Sequence, residues 1–327
     1  MAQTPTKQFM QFWKVANVMV GVAVLLFTFS VFPARTKADF EEGRQAYNKG
    51  DYVIAAEEFR NLADPRIVRE SDNSKSVIEG IWDGFIGFLP WAWEKISGSA
   101  RSRNGHAPAQ LYLGMMYALG RGVPQDYAEA FKWFSLAAEQ GNAQAQYALG
   151  SMYYEGRGVP QVYSEAFKWF SLAAEQGDAA AQNSLASMYI DGKAVPQDYA
   201  EALKWVRMAA EQGDADAQNN LARMYALGRN VPQDYAEALK WVRMAAEQGH
   251  AAAQNSLGMM YFNGQGVAKD YVQAHMWYNL AAAQGHDAAK NSRGIAEKLM
   301  SRNQIEGAQR LATEWMEKQF KKSTGER

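Results

Sequence analysis

The chain has 327 residues, 48% of them hydrophobic and 21% charged, with a formal net charge of −1 and no cysteine. That balance can bury a large core and excludes a disordered chain. It also excludes the basic stripe that holds nucleic acid, and the missing cysteines exclude disulfides, thiolate chemistry and cysteine-based zinc sites.

Residues 1–38 read as an export segment. Lys7 and Lys14 precede an apolar run, Val15–Phe32, and Thr36-Lys37-Ala38 then supplies the small side chains that signal peptidase requires. The run of 18 residues is also just long enough to span a bilayer. Two outcomes stay open. Cleavage after Ala38 gives a periplasmic or secreted protein, and retention gives an inner-membrane anchor. With Lys7 and Lys14 held in the cytoplasm, the remainder lies outside it in either case.

Residues 39–63 carry a shortened helix pair with a tight Gly50-Asp51 turn, placed as an N-terminal cap. Residues 64–106 form an aromatic-rich insert. Ile78, Ile81, Trp82, Phe85 and Leu89 follow helical spacing up to Pro90, with Trp91 and Trp93 beyond it. One reading is an extra helical hairpin packed on the N-terminal repeats. The other is an exposed arm, with Trp82, Phe85, Trp91 and Trp93 touching a partner or, through residues 77–96, a membrane surface.

From Ala107 to His286 one 36-residue unit recurs five times, starting at Ala107, Ala143, Ala179, Ala215 and Ala251. Each unit predicts two helices. Ala109, Leu113 and Tyr117 share one face of the first. Ala130, Trp133, Phe134 and Ala137 share one face of the second. The GRGVPQD loop stops one helix and aims the next. Asp126 and Glu129 make an acidic capping box, and Gly141 sits where a left-handed C-cap belongs. Val162 stands where the other units carry the capping Asp. Gly114 lies inside the first helix, where it costs about 1 kcal/mol against Ala. Close approach of the paired helix is the expected compensation. Residues 287–327 complete the array as C-terminal capping helices, with a Ser301/Gln304 capping box and an apolar stripe through Ile305, Ala308, Leu311, Ala312 and Trp315.

The motifs A-x-A-Q-x-x-L-G-x-M-Y, G-x-G-V-P-Q-D-Y-x-E-A and K-W-[FV]-x-x-A-A-E-Q-G resemble the Sel-one-like repeat (SLR) family, relatives of the tetratricopeptide repeats. The resemblance implies an all-α fold, a right-handed alpha-solenoid of tandem antiparallel helix pairs. It also implies a non-enzymatic adaptor in protein complexes.

No catalytic, cofactor or metal motif stands against that reading. His250 and His286 occupy one slot in successive units, just after the cap glycine, which is a capping position. The partner expected is a protein or peptide. Its surface is the concave face of the first helices, where positions change from unit to unit. Those positions include Leu111, Met115, Tyr147, Ser151, Tyr154, Asn183, Ser187, Asn219, Arg223, Asn255, Met259 and Phe262. Asn183, Asn219 and Asn255 recur one unit apart. They are either solvated, or a ladder that pairs with an extended peptide. Two other functions remain open: an envelope hydrolase within the insert, and a membrane-tethered structural spacer.

Overall fold

The computed structural model describes residues 39–63 and 105–324. The export segment and the insert side chains Trp82, Phe85, Trp91 and Trp93 lie outside the described residues. Among these residues all regular structure is helical. Helix α1 (residues 39–49) and α2 (Tyr52–Ala63) form the N-terminal pair. The repeats follow as α3 (Ala107–Leu119) and α4 (Tyr127–Glu139), α5 (Ala143–Glu155) and α6 (Tyr163–Glu175), and α7 (Ala179–Asp191) and α8 (Tyr199–Glu211). Next come α9 (Ala215–Leu227) and α10 (Tyr235–Glu247), then α11 (Ala251–Asn263) and α12 (Tyr271–Ala283). Helices α13 (Asp287–Glu297) and α14 (Arg302–Thr324) close the chain. This is the all-α repeat stack expected, and each predicted unit opens on the first residue of a helix.

The chain divides into two compact halves, Met1–Pro160 and Gln161–Arg327. In the first, α2 packs on α3, α3 on α4 and α4 on α5. Its core joins Ala55, Phe59 and Ala63 to Ala109, Leu113 and Met116. In the second, α6 to α13 pack each on the next, around Leu221 and Val206 in one cluster and Leu257 and Val242 in another.

The caps explain where each helix starts. Asp126 Oδ1 accepts from the backbone N–H groups of Ala128 and Glu129, at 2.8 and 3.0 Å. The capping box is only half formed, however. Glu129 turns outward to Lys132, and the Asp126 N–H donates to the Tyr117 carbonyl at 3.0 Å instead. The Ser301/Gln304 box forms in both directions. His250 and His286 cap α11 and α13 through Nδ1, as their slot implied, and His106 caps α3 in the same way.

Gly114 answers to packing. A Cβ there would stand 2.6 Å from the Phe134 ring, so only a bare Cα lets the second helix cross. The equivalent in the last repeat, Gly258, faces Tyr278 at 2.7 Å. At Gly294, in the same register of α13, a Cβ would meet nothing within 4 Å. The reason is that α14 packs on α12 rather than forming a hairpin with α13. Trp315 meets Trp277 with ring centroids 5.9 Å apart, and Ala312 is buried in one core with Leu280. Met276 prepares that contact, because it replaces the exposed Lys240 of the preceding repeat with an apolar side chain.

Candidate functional site: the first-helix face

Each first helix buries one stripe and leaves another open. In α3 the buried stripe is Ala109, Gln110, Leu113, Gly114 and Met116. The same five positions are buried in α5, α7, α9 and α11. The predicted partner-binding residues occupy the opposite stripe. Met115, Tyr147, Ser151, Tyr154, Asn183, Ser187, Asn255 and Phe262 are half-buried, and Arg223 and Met259 are exposed. Leu111 and Asn219 depart from the expectation. They are 6% and 8% exposed, so their side chains belong to helix packing and offer little surface.

The asparagines are partly consumed by the array itself. Asn220 Nδ2 donates to Asn183 Oδ1 at 3.0 Å, and Ser256 Oγ stands 3.5 Å from Asn219 Oδ1. In both cases the side chain following one asparagine reaches the asparagine of the repeat before it. The ladder is therefore first a seam between first helices. The seam stops at Asn255, whose buried Oδ1 has no hydrogen-bond partner among the described residues. Ser292 holds the position that would reach it, but its hydroxyl bonds Tyr278. Tyr278 is the one hydroxylated residue at a slot filled by Phe134, Phe170, Val206 and Val242 elsewhere. Asn291 continues the asparagine series one repeat further, exposed on α13; its 36-residue phase from Asn255 was the available signal.

A second buried polar system was also missed. Gln140 Nε2 donates to Gln110 Oε1 at 2.7 Å, and Gln110 Nε2 donates to the Ala63 carbonyl at 3.0 Å. Gln212–Gln182, Gln248–Gln218 and Gln284–Gln254 repeat the pairing at 2.8, 2.8 and 2.9 Å. Two glutamines at constant places in every unit were the visible sign. Satisfied buried amides of this kind pin one register of helix on helix.

One further buried ionisable cluster joins His275, Asn279, Arg293 and Glu297. Arg293 Nη1 donates to Asn279 Oδ1 at 3.0 Å, and a guanidinium only donates. Asn279 must then turn its NH2 to His275 Nδ1, 3.0 Å away. The imidazole proton therefore sits on Nε2, facing Glu297 Oε1 at 3.0 Å. Both ring nitrogens are engaged and His275 is fully buried, so the His–Glu pair has no free nitrogen for chemistry.

Second helices carry the exposed pairs Glu129–Lys132, Glu201–Lys204 and Glu237–Lys240. On the open stripe of α7, α9 and α11, Arg223 alone is charged among the positions named above.

All five units, residues 107–142, 143–178, 179–214, 215–250 and 251–286, match the Sel1 repeat. The crystal structure of a Sel1 repeat protein from Oxalobacter formigenes is 31% identical, with a TM-score of 0.63, over 85% of this chain and 97% of that one. A protective antigen present in uropathogenic Escherichia coli strains, displaying an SLR fold, is 29% identical with a TM-score of 0.63. That match covers 86% of this chain and 61% of the antigen. No curated protein matches the chain.

Proposed function

The chain belongs to the Sel1 repeat family, whose members are commonly protein-interaction scaffolds, and from that premise we propose that it is a non-enzymatic adaptor of the cell envelope or secreted space. It captures a protein or peptide on the first-helix face.

One observation carries the assignment of the face. Val195–Gly213 and Val231–Gly249 are identical, so α8 and α10 are copies. The first helices of the same repeats differ at five positions: Ala180/Asp216, Ser184/Asn220, Ser187/Arg223, Ile190/Ala226 and Asp191/Leu227. None of the five is a buried position, and the buried residues of α7 recur unchanged in α9 apart from the added Asn219. Loop positions Lys193/Arg229 and Ala194/Asn230 differ as well, and divergence confined to a solvent-facing stripe and the loop that follows it, over an unchanged buried stripe, is what altered recognition leaves behind.

Export rests on residues 1–38 alone. Mass spectrometry of the mature protein from fractionated cells tests it. A chain beginning at Asp39 outside the cytoplasm is expected, and a cytoplasmic chain retaining Lys7 and Lys14 would overturn the location. Binding is tested by partner capture with charge-reversing substitutions on each surface. Arg223→Glu is expected to abolish capture without lowering the melting temperature. Loss through Lys132→Glu instead would move the site to the second helices.

A further inference from the structure

We propose that the face shared by α7, α9 and α11 takes an extended acidic segment of a partner protein, with a side-chain carboxylate on Arg223. This rests on the reading of that face as the binding surface and adds the chemistry of what it binds.

Arg223 is exposed and makes no ion pair among the described residues. Asp191 pairs with Lys193 at 3.1 Å, and Asp216 Oδ1 is hydrogen-bonded to His250 Nε2 at 2.7 Å. The copied repeat carries Ser187 at the position of Arg223, so packing does not require a cation there. What remains is an unneutralised guanidinium whose planar donors fit a carboxylate in two-point contact.

The hydrogen-bonding polarity of the stripe agrees. Ser187 donates its hydroxyl back to the Asn183 carbonyl at 3.0 Å, and Asn183 Oδ1 is occupied by Asn220. The Asn183 amide NH2 is left, and it is a donor, as is Arg223. These two donors select a ligand group that accepts.

The spacing makes the segment extended. Neighbouring helices lie about 8–10 Å apart, and a chain advancing about 3.3 Å per residue covers that in roughly three residues. Met259, 45% exposed, and Phe262 lie on α11, one repeat from Arg223. The segment recognised is therefore an acidic residue about three positions from a large apolar one.

The test uses the full chain and libraries of octapeptides acetylated and amidated at their ends, so that only side-chain carboxylates are read. One library holds fixed Asp or Glu, one neutral residues and one Lys. Acidic peptides are expected to bind at least about tenfold tighter than neutral ones, with affinity falling as salt rises. Arg223→Ser, the residue of the copied repeat, is expected to remove that preference at an unchanged melting temperature. Absence of acidic enrichment, including no binding at all, overturns the proposal, as does an Arg223→Ser variant that keeps the preference. A native partner captured on this face whose affinity ignores Arg223 removes the acidic assignment and leaves the scaffold reading. Capture lost only through Lys132→Glu removes both.

Discussion

Gln110 Nε2 donates to the Ala63 carbonyl at 3.0 Å across 47 positions of chain, and Gln218 makes the same bond to Ala210 across eight. The N–H of His106 likewise donates to the Leu62 carbonyl at 3.1 Å, as that of Asn142 does to Ala137 at 3.2 Å. Gly105 has φ 81° and Gly141 has φ 86°. Ala63 and Gly105 thus stand to each other as Ala138 and Gly141 do. In the sequence, residues 64–104 connect Ala63 to Gly105, where a Glu-Gln dipeptide connects Ala138 to Gly141.

Replacing residues 64–104 by Glu-Gln is therefore expected to preserve the array. Circular dichroism should show the helical signal of the remaining residues, and unfolding should stay cooperative, because stacking interactions are between neighbours. Loss of cooperativity would show that the insert contributes core.

Ala194 has φ 67°, in the left-handed region, at the place of Gly158 in the repeat before it. A Cβ on Gly158 would approach the Tyr127 carbonyl to 2.6 Å. Ala194 therefore carries backbone strain that glycine would relieve, partly offset by the greater freedom of glycine in the unfolded chain. Ala194→Gly should raise stability by about 0.5–1 kcal/mol, read as a shift in denaturant midpoint. A lower midpoint would mean that the alanine gains more by contact than it loses by strain.

Val162 starts α6 with φ −138°, close to the φ −150° of Asp126, yet makes no side-chain cap bond. The backbone already has the shape that an aspartate needs. Val162→Asp should add about 1 kcal/mol, and the same denaturant titration reads it. An unchanged midpoint would show that Val162 makes an apolar contact of equal value.

Tyr278 and His106 each link stability to pH. Burial pushes the Tyr278 phenol up to about 12, so the folded state holds that proton more tightly than the unfolded one. Its contribution is full below about pH 10 and is lost as pH rises from there through about 12. Tyr278→Phe, which matches Phe134 and Phe170, should abolish that alkaline loss while remaining folded at neutral pH. Burial lowers the His106 pKa, and this has the opposite sign. Stability is full above about pH 6.5 and falls as pH drops through the depressed value. His106→Asn, which keeps a cap, should flatten the acid limb. Melting temperatures across pH 5–12 read both limbs; a variant as pH-sensitive as the parent at its own limb would refute that assignment.

The repeat register, helix pairing and most caps were legible in the sequence, because glycine, proline and aspartate punctuate the unit at fixed places. Apolar spacing shows which side of a helix is buried, but it does not show which neighbour buries it. The stripe of Leu311 and Trp315 was visible, whereas its packing on α12 depended on Met276 and Trp277, one helix pair earlier. The open stripe of the first helices was also legible. The burial of Asn219 was not, since it arises from lateral contact between first helices, which one unit read alone does not contain. The Glu129 half of the capping box failed because Lys132, one turn on, competes for the carboxylate.

The central claim is that recognition lies on the first-helix face. Photo-crosslinking in living cells tests it directly, with the probe placed at Ser187 or Met259 on one surface and at Lys132 or Lys204 on the other. The expected result is one discrete crosslinked protein from the Ser187 and Met259 probes, lost on Arg223→Glu, with none from Lys132 or Lys204. A discrete crosslink from the second-helix probes that survives Arg223→Glu would contradict it.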